Sequence, residues 1–161
     1  MVSDRVARCA IRVQAMLGHG AVTRPVLAGG RGPAEQVLLV PFGDAAAPHR
    51  PADRPWPGKI PAPAPATVHP VPRPAQVTDA AGTAVSVTGR AQLSAPPARL
   101  AAEAGPSLAI VSWAGPWPVT ERWWDPEHAR RQARFQFVTD DGTAWLAVLR
   151  DGRWLVEASY D

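Results

Sequence analysis

The chain is poor in the residues that cross-link or anchor a protein. Its 161 residues include one cysteine (Cys9), one tyrosine and one lysine (Lys59). A single cysteine excludes an internal disulfide and fits a reducing compartment. No run of about 18 apolar residues is present, so no membrane-spanning helix is expected. The N-terminus lacks a signal-peptide pattern, because Arg8 and Arg12 interrupt the only apolar stretch there. These absences point to a soluble, cytoplasmic chain with no membrane partner. Large apolar side chains are also scarce. Hydrophobic residues make up 46% of the chain, but 30 of them are alanine. That supply does not fill one uniform core, and no Gly-X-Y period supports a collagen-like alternative.

What is present is unevenly placed. Eleven of the 19 prolines fall between residues 41 and 74, and six of the seven tryptophans between 113 and 154. Residues 1–120 carry 11 basic and 6 acidic side chains (+5), and residues 121–161 carry 6 and 8 (−2). Neither part has the dense basic face of a nucleic-acid domain. The expected fold is mainly β with short helices (α+β). Residues 1–43 form a helix plus hairpin, 44–75 a Pro/Ala-rich linker, and 76–161 a small Trp-rich antiparallel sheet domain.

Helical spacing of Val6, Cys9, Ala10, Val13, Met16 and Leu17 predicts an amphipathic helix over residues 3–18. Ser3 or Asp4 caps it and Gly18 ends it. Cys9 on that stripe reads as a small core residue. Arg5, Arg8 and Arg12 share a flank. They read either as a solvated face or as a DNA or phosphate contact. Apolar runs at 21–27 and 36–42 around Gly29-Gly30-Arg31-Gly32-Pro33 predict a hairpin. This glycine turn lacks the Lys-Ser/Thr pair of a phosphate loop. The alternation Pro61-Ala62-Pro63-Ala64-Pro65 predicts an extended spacer.

Further on, strands are expected at 76–79 and 83–88, and 92–94 extends them. A helical turn is expected at 98–104, followed by separate strands at 108–113 and 117–124. Asp125-Pro126 predicts a short helix over 127–132. Strands at 133–139, 144–150 and 153–160 follow, joined by Asp140-Asp141-Gly142 and Asp151-Gly152. The 144–150 strand is apolar on both faces, which suggests a central or doubly covered strand. Trp123, Trp145 and Trp154 read as core, and Trp154, Val156 and Ala158 as one face.

No catalytic constellation emerges. His19, His49, His69 and His128 lack metal-ligand spacing, and no Gly-x-Ser-x-Gly elbow occurs. Glu121, Asp125 and Glu127 cluster before the expected helix, where capping alone favours carboxylates. No cofactor, metal or catalytic residue is expected.

One stretch is distinctive: Trp113-Ala114-Gly115-Pro116-Trp117-Pro118-Val119-Thr120-Glu121-Arg122-Trp123-Trp124-Asp125. Arg130-Arg131, an aromatic strand at 135–137, Gly142, Trp145-Leu146 and a strand over 154–160 follow in order. This pattern resembles the C-terminal region of ImuB-type proteins, which are similar to Y-family DNA polymerases. Arg12-Val13-Gln14-Ala15-Met16-Leu17-Gly18, Gly29-Gly30-Arg31-Gly32-Pro33-Ala34, Val40-Pro41-Phe42-Gly43-Asp44 and Pro57-Gly58-Lys59-Ile60-Pro61-Ala62-Pro63 extend the resemblance toward the front.

The resemblance implies a non-catalytic adaptor in translesion synthesis, DNA damage tolerance and induced (SOS) mutagenesis. Its partners are an error-prone C-family DNA polymerase and a RecA-like mutasome protein, and DNA is reached indirectly. The family's palm, fingers, thumb and little-finger regions have no counterpart in this sequence. The clamp-binding pentapeptide has none either, and Gln36-Val37-Leu38-Leu39-Val40 is better read as a strand. Trp117, Arg122, Trp124, Arg130 and Arg131 are the candidate partner contacts, because Trp and Arg dominate binding hot spots. Two alternatives stand beside this one. The first is a single-stranded DNA module using Arg130, Arg131 and Arg134. The second is a small enzyme whose site assembles only in three dimensions.

Overall fold

A computed structural model describes residues 3–48, 50–52, 54–55, 57–103, 105–125 and 127–160. The chain divides into two compact units, residues 1–56 and residues 57–161. Among the described residues, no helix is long and apolar enough to cross a membrane.

The first unit opens with α1 (Asp4–Leu17). The Ser3 hydroxyl accepts from the Val6 amide at 3.4 Å, satisfying one of the free N–H groups of the first turn. Gly18 ends the helix at φ +100°, a conformation that other residues rarely adopt. The Gln14 side-chain amide donates to the His19 and Phe42 carbonyls. These bonds tie the helix end to an antiparallel hairpin, β1 (Thr23–Leu27) and β2 (Val37–Pro41). The Gln36–Val40 stretch is thus largely strand. Glu35 organises the hairpin loop. Its carboxylate accepts from the Arg31 and Gly32 amides and pairs with Arg50 at 3.1 Å. Burial pushes the Glu35 pKa up, but those amides and the Arg50 charge outweigh it, so the net shift is downward. Gly30 has no alternative here, because a Cβ would collide with the Glu35 side chain. The apolar stripe of α1 does not build a core. Ala10 is its buried member, whereas Val6, Met16 and Leu17 stand exposed. Cys9 is exposed as well, which corrects its reading as a core residue.

The second unit is a closed antiparallel barrel of six strands. They are β3 (Thr67–Thr78), β4 (Arg99–Ala102), β5 (Ser107–Glu121), β6 (Arg130–Thr139), β7 (Ala144–Arg150) and β8 (Arg153–Tyr160). Each strand pairs with the next, and β8 returns to β3. The short β4 closes the ring against Ala75–Thr78 of β3 and Ser107–Ala109 of β5, and the rest of β5 pairs with β6 alone.

The strand expected at 83–88 is reduced to isolated bridges at Ala84 and Val87, and four further differences from the expected elements stand out. First, β3 starts inside the stretch expected as linker. Its register against β8 jumps from Val68↔Ala158 to Arg73↔Val156, so residues 69–72 face Glu157 alone. Pro70 and Pro72 sit in that bulge, where a missing N–H breaks no ladder bond. The residues before β3 also belong to the barrel. Ile60 packs on Leu146 and Ala158, and a Cβ at Gly58 would lie 2.8 Å from the Pro118 carbonyl oxygen. Second, 99–102 is strand rather than helix, because pairing on both sides and burial of Leu100 override local helical propensity. Third, the two strands expected at 108–113 and 117–124 are one, β5. Gly115-Pro116 forms a bulge opposite Phe135. Gly115 is required there: φ is +118°, and a Cβ would meet the Arg134 carbonyl oxygen at 2.8 Å. Fourth, the helix expected at 127–132 is absent, because β6 begins at Arg130 and pairs with Glu121.

The inward faces carry Val77, Leu100, Phe135, Phe137, Ala147 and Trp154, the main core. The Trp154 indole N–H donates to the Val85 carbonyl at 2.7 Å. That bond ties the 84–94 excursion to the barrel. Trp145 packs half-buried on the same core. The outward faces of β7 and β8 are covered too, since Ile60 packs on Leu146 and Ala158. This explains the doubly apolar β7. A bulge at Glu157 interrupts the alternation of β8. Ala158 therefore joins Leu146 in the outer cluster, rather than sharing a face with Trp154 and Val156.

The β6–β7 turn is closed by polar bonds. The buried Thr139 hydroxyl donates to the Asp141 carboxylate at 2.7 Å, and the Thr143 amide donates to the same oxygen. The Thr139 bond, then the Thr143 bond, lowers the Asp141 pKa from its ordinary 3.8. A lowered carboxyl contributes its stabilisation above the unfolded pKa and loses it as pH falls through the folded one. Carbon-detected titration of Asp141 is therefore expected to give a midpoint below 3.8. A midpoint at or above 3.8 would show that the turn bonds do not hold the carboxylate in solution.

Candidate functional site

The candidate partner contacts gather at one end of the β5–β6 hairpin. Register pairs Thr120 with Arg131 and Glu121 with Arg130, which leaves residues 122–129 as the connection. Arg122 turns the chain at φ +49°. The Asp125 amide donates to the Arg122 carbonyl, and the His128 amide to the Asp125 carbonyl. The Asp125 carboxylate then holds the His128 ring at 2.8 Å. The carboxylate expected to cap a helix is thus engaged with the His128 ring, within a single turn.

That tight turn lifts both tryptophans out of the barrel. Trp123 is 73% and Trp124 68% exposed. Their rings meet edge to face, with centroids 5.7 Å apart, a favoured aromatic arrangement. The reading of Trp123 as core is corrected here. Adjacent residues cannot both face one core in a strand, and a turn frees both. Arg122, Arg130 and Arg131 are exposed around the pair. Four of the five candidates, Arg122, Trp124, Arg130 and Arg131, are therefore brought together. Trp117 is not among them. It is half-buried against the outer cluster of Ile60, Leu146 and Ala158.

A cavity of about 350 Å³ opens at the same end of the barrel. Opposed residues on neighbouring strands share a face, and residues two apart share it too. Arg131 therefore lies on the inward face with Ala133 and Phe135, at the mouth of the barrel, with Thr120 opposite. The cavity walls are Ser86, Thr88 and Gly89 of the excursion, Thr120, Arg131 and Gln132 of the hairpin base, and Asp151 and Gly152 of the β7–β8 turn. Val87, Val119, Ala133 and Leu149 supply apolar surface. Apart from Arg131, sequence reasoning missed these wall residues because they are distant in the chain. The inward parity of Arg131 with Phe135 and Phe137 was the one available signal.

The other candidates lie apart. Arg5, Arg8 and Arg12 are exposed on α1 in the first unit. Among the described residues, no carboxylate pairs with them. Arg134 is different: it is buried and bonded to Glu157 at 2.6 Å, so it cannot track a phosphate chain. His19 pairs with Asp44 at the surface. His69 is buried, and its Nε2 has no hydrogen-bond partner. Burial first, and Arg73 second, lower its pKa. His49 lies outside the described residues. Among the described residues, no three His, Cys, Asp or Glu side chains form a metal cluster. No family model, curated protein or solved structure matches this chain.

Proposed function

We propose that the chain is a non-catalytic protein-interaction module of the ImuB type. Its role is in cytoplasmic DNA damage tolerance, translesion synthesis and induced mutagenesis. The partners are an error-prone C-family DNA polymerase and a RecA-like mutasome protein, and DNA is reached through them. The observation that carries this reading is the exposed Trp123–Trp124 pair in a connection that Arg122, Arg130 and Arg131 flank along the chain. A tryptophan side chain removes on the order of 150–250 Å² from water when covered. Two such rings left in solvent, with arginines alongside, have the composition of a binding hot spot.

A single-stranded DNA platform draws less support. It loses Arg134 to Glu157. Over residues 121–131, Glu121, Asp125 and Glu127 match Arg122, Arg130 and Arg131 in number, so the hairpin end has no net charge.

The test immobilises the full chain and presents the purified C-family polymerase and the RecA-like protein separately. Capture of at least one is expected, with a loss of about tenfold or more in Trp123→Ala/Trp124→Ala, the scale of a hot-spot truncation. Failure of the unmodified chain to retain either protein would overturn the proposal.

A further inference from the structure

We infer that the barrel-mouth cavity is a binding pocket for a carboxylate side chain on an extended peptide segment, with Arg131 as its anchor. Trp123 and Trp124 cover the apolar neighbours of that carboxylate. This inference rests on reading the chain as a protein-interaction module.

Arg134 and Arg150 share the Glu157 carboxylate, and Arg73 pairs with Glu103. Arg131 has no carboxylate partner among the described residues, yet its register turns it toward the barrel mouth. Its Nη1 lies 3.5 Å from where a Cβ of Gly89 would stand. The guanidinium is thus placed on the cavity wall, beside a residue that leaves space. Thr88 and Thr120 add hydroxyls on that wall, while Val119 and Leu149 offer apolar surface. A planar guanidinium with free donors matches a carboxylate in two parallel hydrogen bonds. A volume of about 350 Å³ holds one or two side chains rather than a folded surface.

Charge separates a peptide from a nucleic acid. Asp151 stands on the cavity wall, and Glu121, Asp125 and Glu127 lie along the hairpin that leads into it. A polyphosphate strand would meet these acids in succession. A single carboxylate meets Arg131 and one acid, Asp151, on the cavity wall, rather than the series of acids that a polyphosphate chain would pass.

The test uses the full chain, labelled for amide resonances. The probes are a blocked Ser-Leu-Glu-Leu-Ser peptide, its Gln counterpart and oligothymidylate. Saturable shifts at Thr88, Gly89, Thr120 and Arg131 are expected with the Glu peptide. They should weaken about tenfold or more with the Gln peptide and in Arg131→Gln, as for loss of a charge-assisted pair. Gly89→Leu fills the space beside the guanidinium while keeping the charge, and it is expected to block binding with the rest of the spectrum in place. Equal binding of the two peptides, an unaffected Arg131→Gln, no saturable shift, or a response to oligothymidylate alone would each overturn the pocket. Partner capture is scored separately. Capture that survives Arg131→Gln without peptide binding removes the pocket and leaves the module. Peptide binding without capture of either partner does the reverse.

Discussion

Glu157→Ala is expected to cost the barrel about 3–5 kcal/mol, the range for breaking one side of a buried ion pair. Glu157 stands at the bulge of β8 and faces the bulge of β3. Its Oε2 accepts from Arg134 Nε at 2.6 Å and its Oε1 from Arg150 Nη2 at 3.1 Å. The side chains of Arg134 and Glu157 are 5% and 12% exposed. Alanine at 157 would leave a guanidinium with almost no water and no counter-charge. Arg134 already carries one nitrogen, Nη1, without a partner, so the site has no spare acceptor to offer. Arg150 is 31% exposed and can turn to solvent, so Arg150→Ala should cost far less. Replacing both members, Arg134→Met with Glu157→Leu, is expected to recover most of the loss, because the uncompensated charge disappears with its partner. Urea denaturation of the three variants measures these differences. A cost below about 1 kcal/mol for Glu157→Ala, the level of a surface pair, would show that the arginine finds water despite its burial.

Phe135→Ala carries the second large effect, also about 3–5 kcal/mol, from lost transfer energy and the cavity left behind. Phe135 is fully buried. Its ring stacks on Phe137 at 5.7 Å and meets Trp154 at 5.2 Å and Trp113 at 6.3 Å. Few other large side chains can move in, since much of the apolar composition is alanine. The hole should persist rather than collapse. Trp113→Ala, at a position 39% exposed, should cost less. Thermal unfolding distinguishes the two, at about 4–8 °C per kcal/mol for a domain of this size. A smaller shift for Phe135→Ala than for Trp113→Ala would mean that the aromatic stack is not the centre of the core.

The sequence carried the local half of this structure. Ser3 and Gly18 marked the ends of α1. Gly142 and Asp151-Gly152 marked the turns that frame β7 and β8, whose limits match the expected ones. The glycine-rich stretch before residue 34 marked the first hairpin. What it did not carry was set by pairing between distant residues. The 98–104 stretch has helical propensity and becomes strand because β3 and β5 flank it. Pro70 and Pro72 argue against a strand until β8 supplies a bulge to hold them. Gly115-Pro116 punctuates a chain locally, yet β6 runs past it and keeps β5 whole. The candidate site was legible in the same proportion. The Trp-Trp-Asp turn and its arginines stood out as residue types. The cavity beside them did not, because its walls come from three separate parts of the chain. Arg134 looked like its neighbours Arg130 and Arg131 until register turned it outward onto Glu157.

The return of β8 to β3 has a kinetic meaning. Every other strand pair joins chain neighbours through a short turn or the 84–94 excursion, so those contacts form at little loop-closure entropy. The β3–β8 seam spans nearly the whole unit, from Thr67↔Ser159 to Ala75↔Trp154. Contact order concentrates in that one seam, and non-local pairing slows folding. A meander still open at the seam exposes two strand edges that the finished barrel hides. The proline bulge in β3 shortens the run of ladder bonds that such an edge could form with another chain. Pro70 and Pro72 therefore guard the unfinished barrel against the aggregation that its own topology invites.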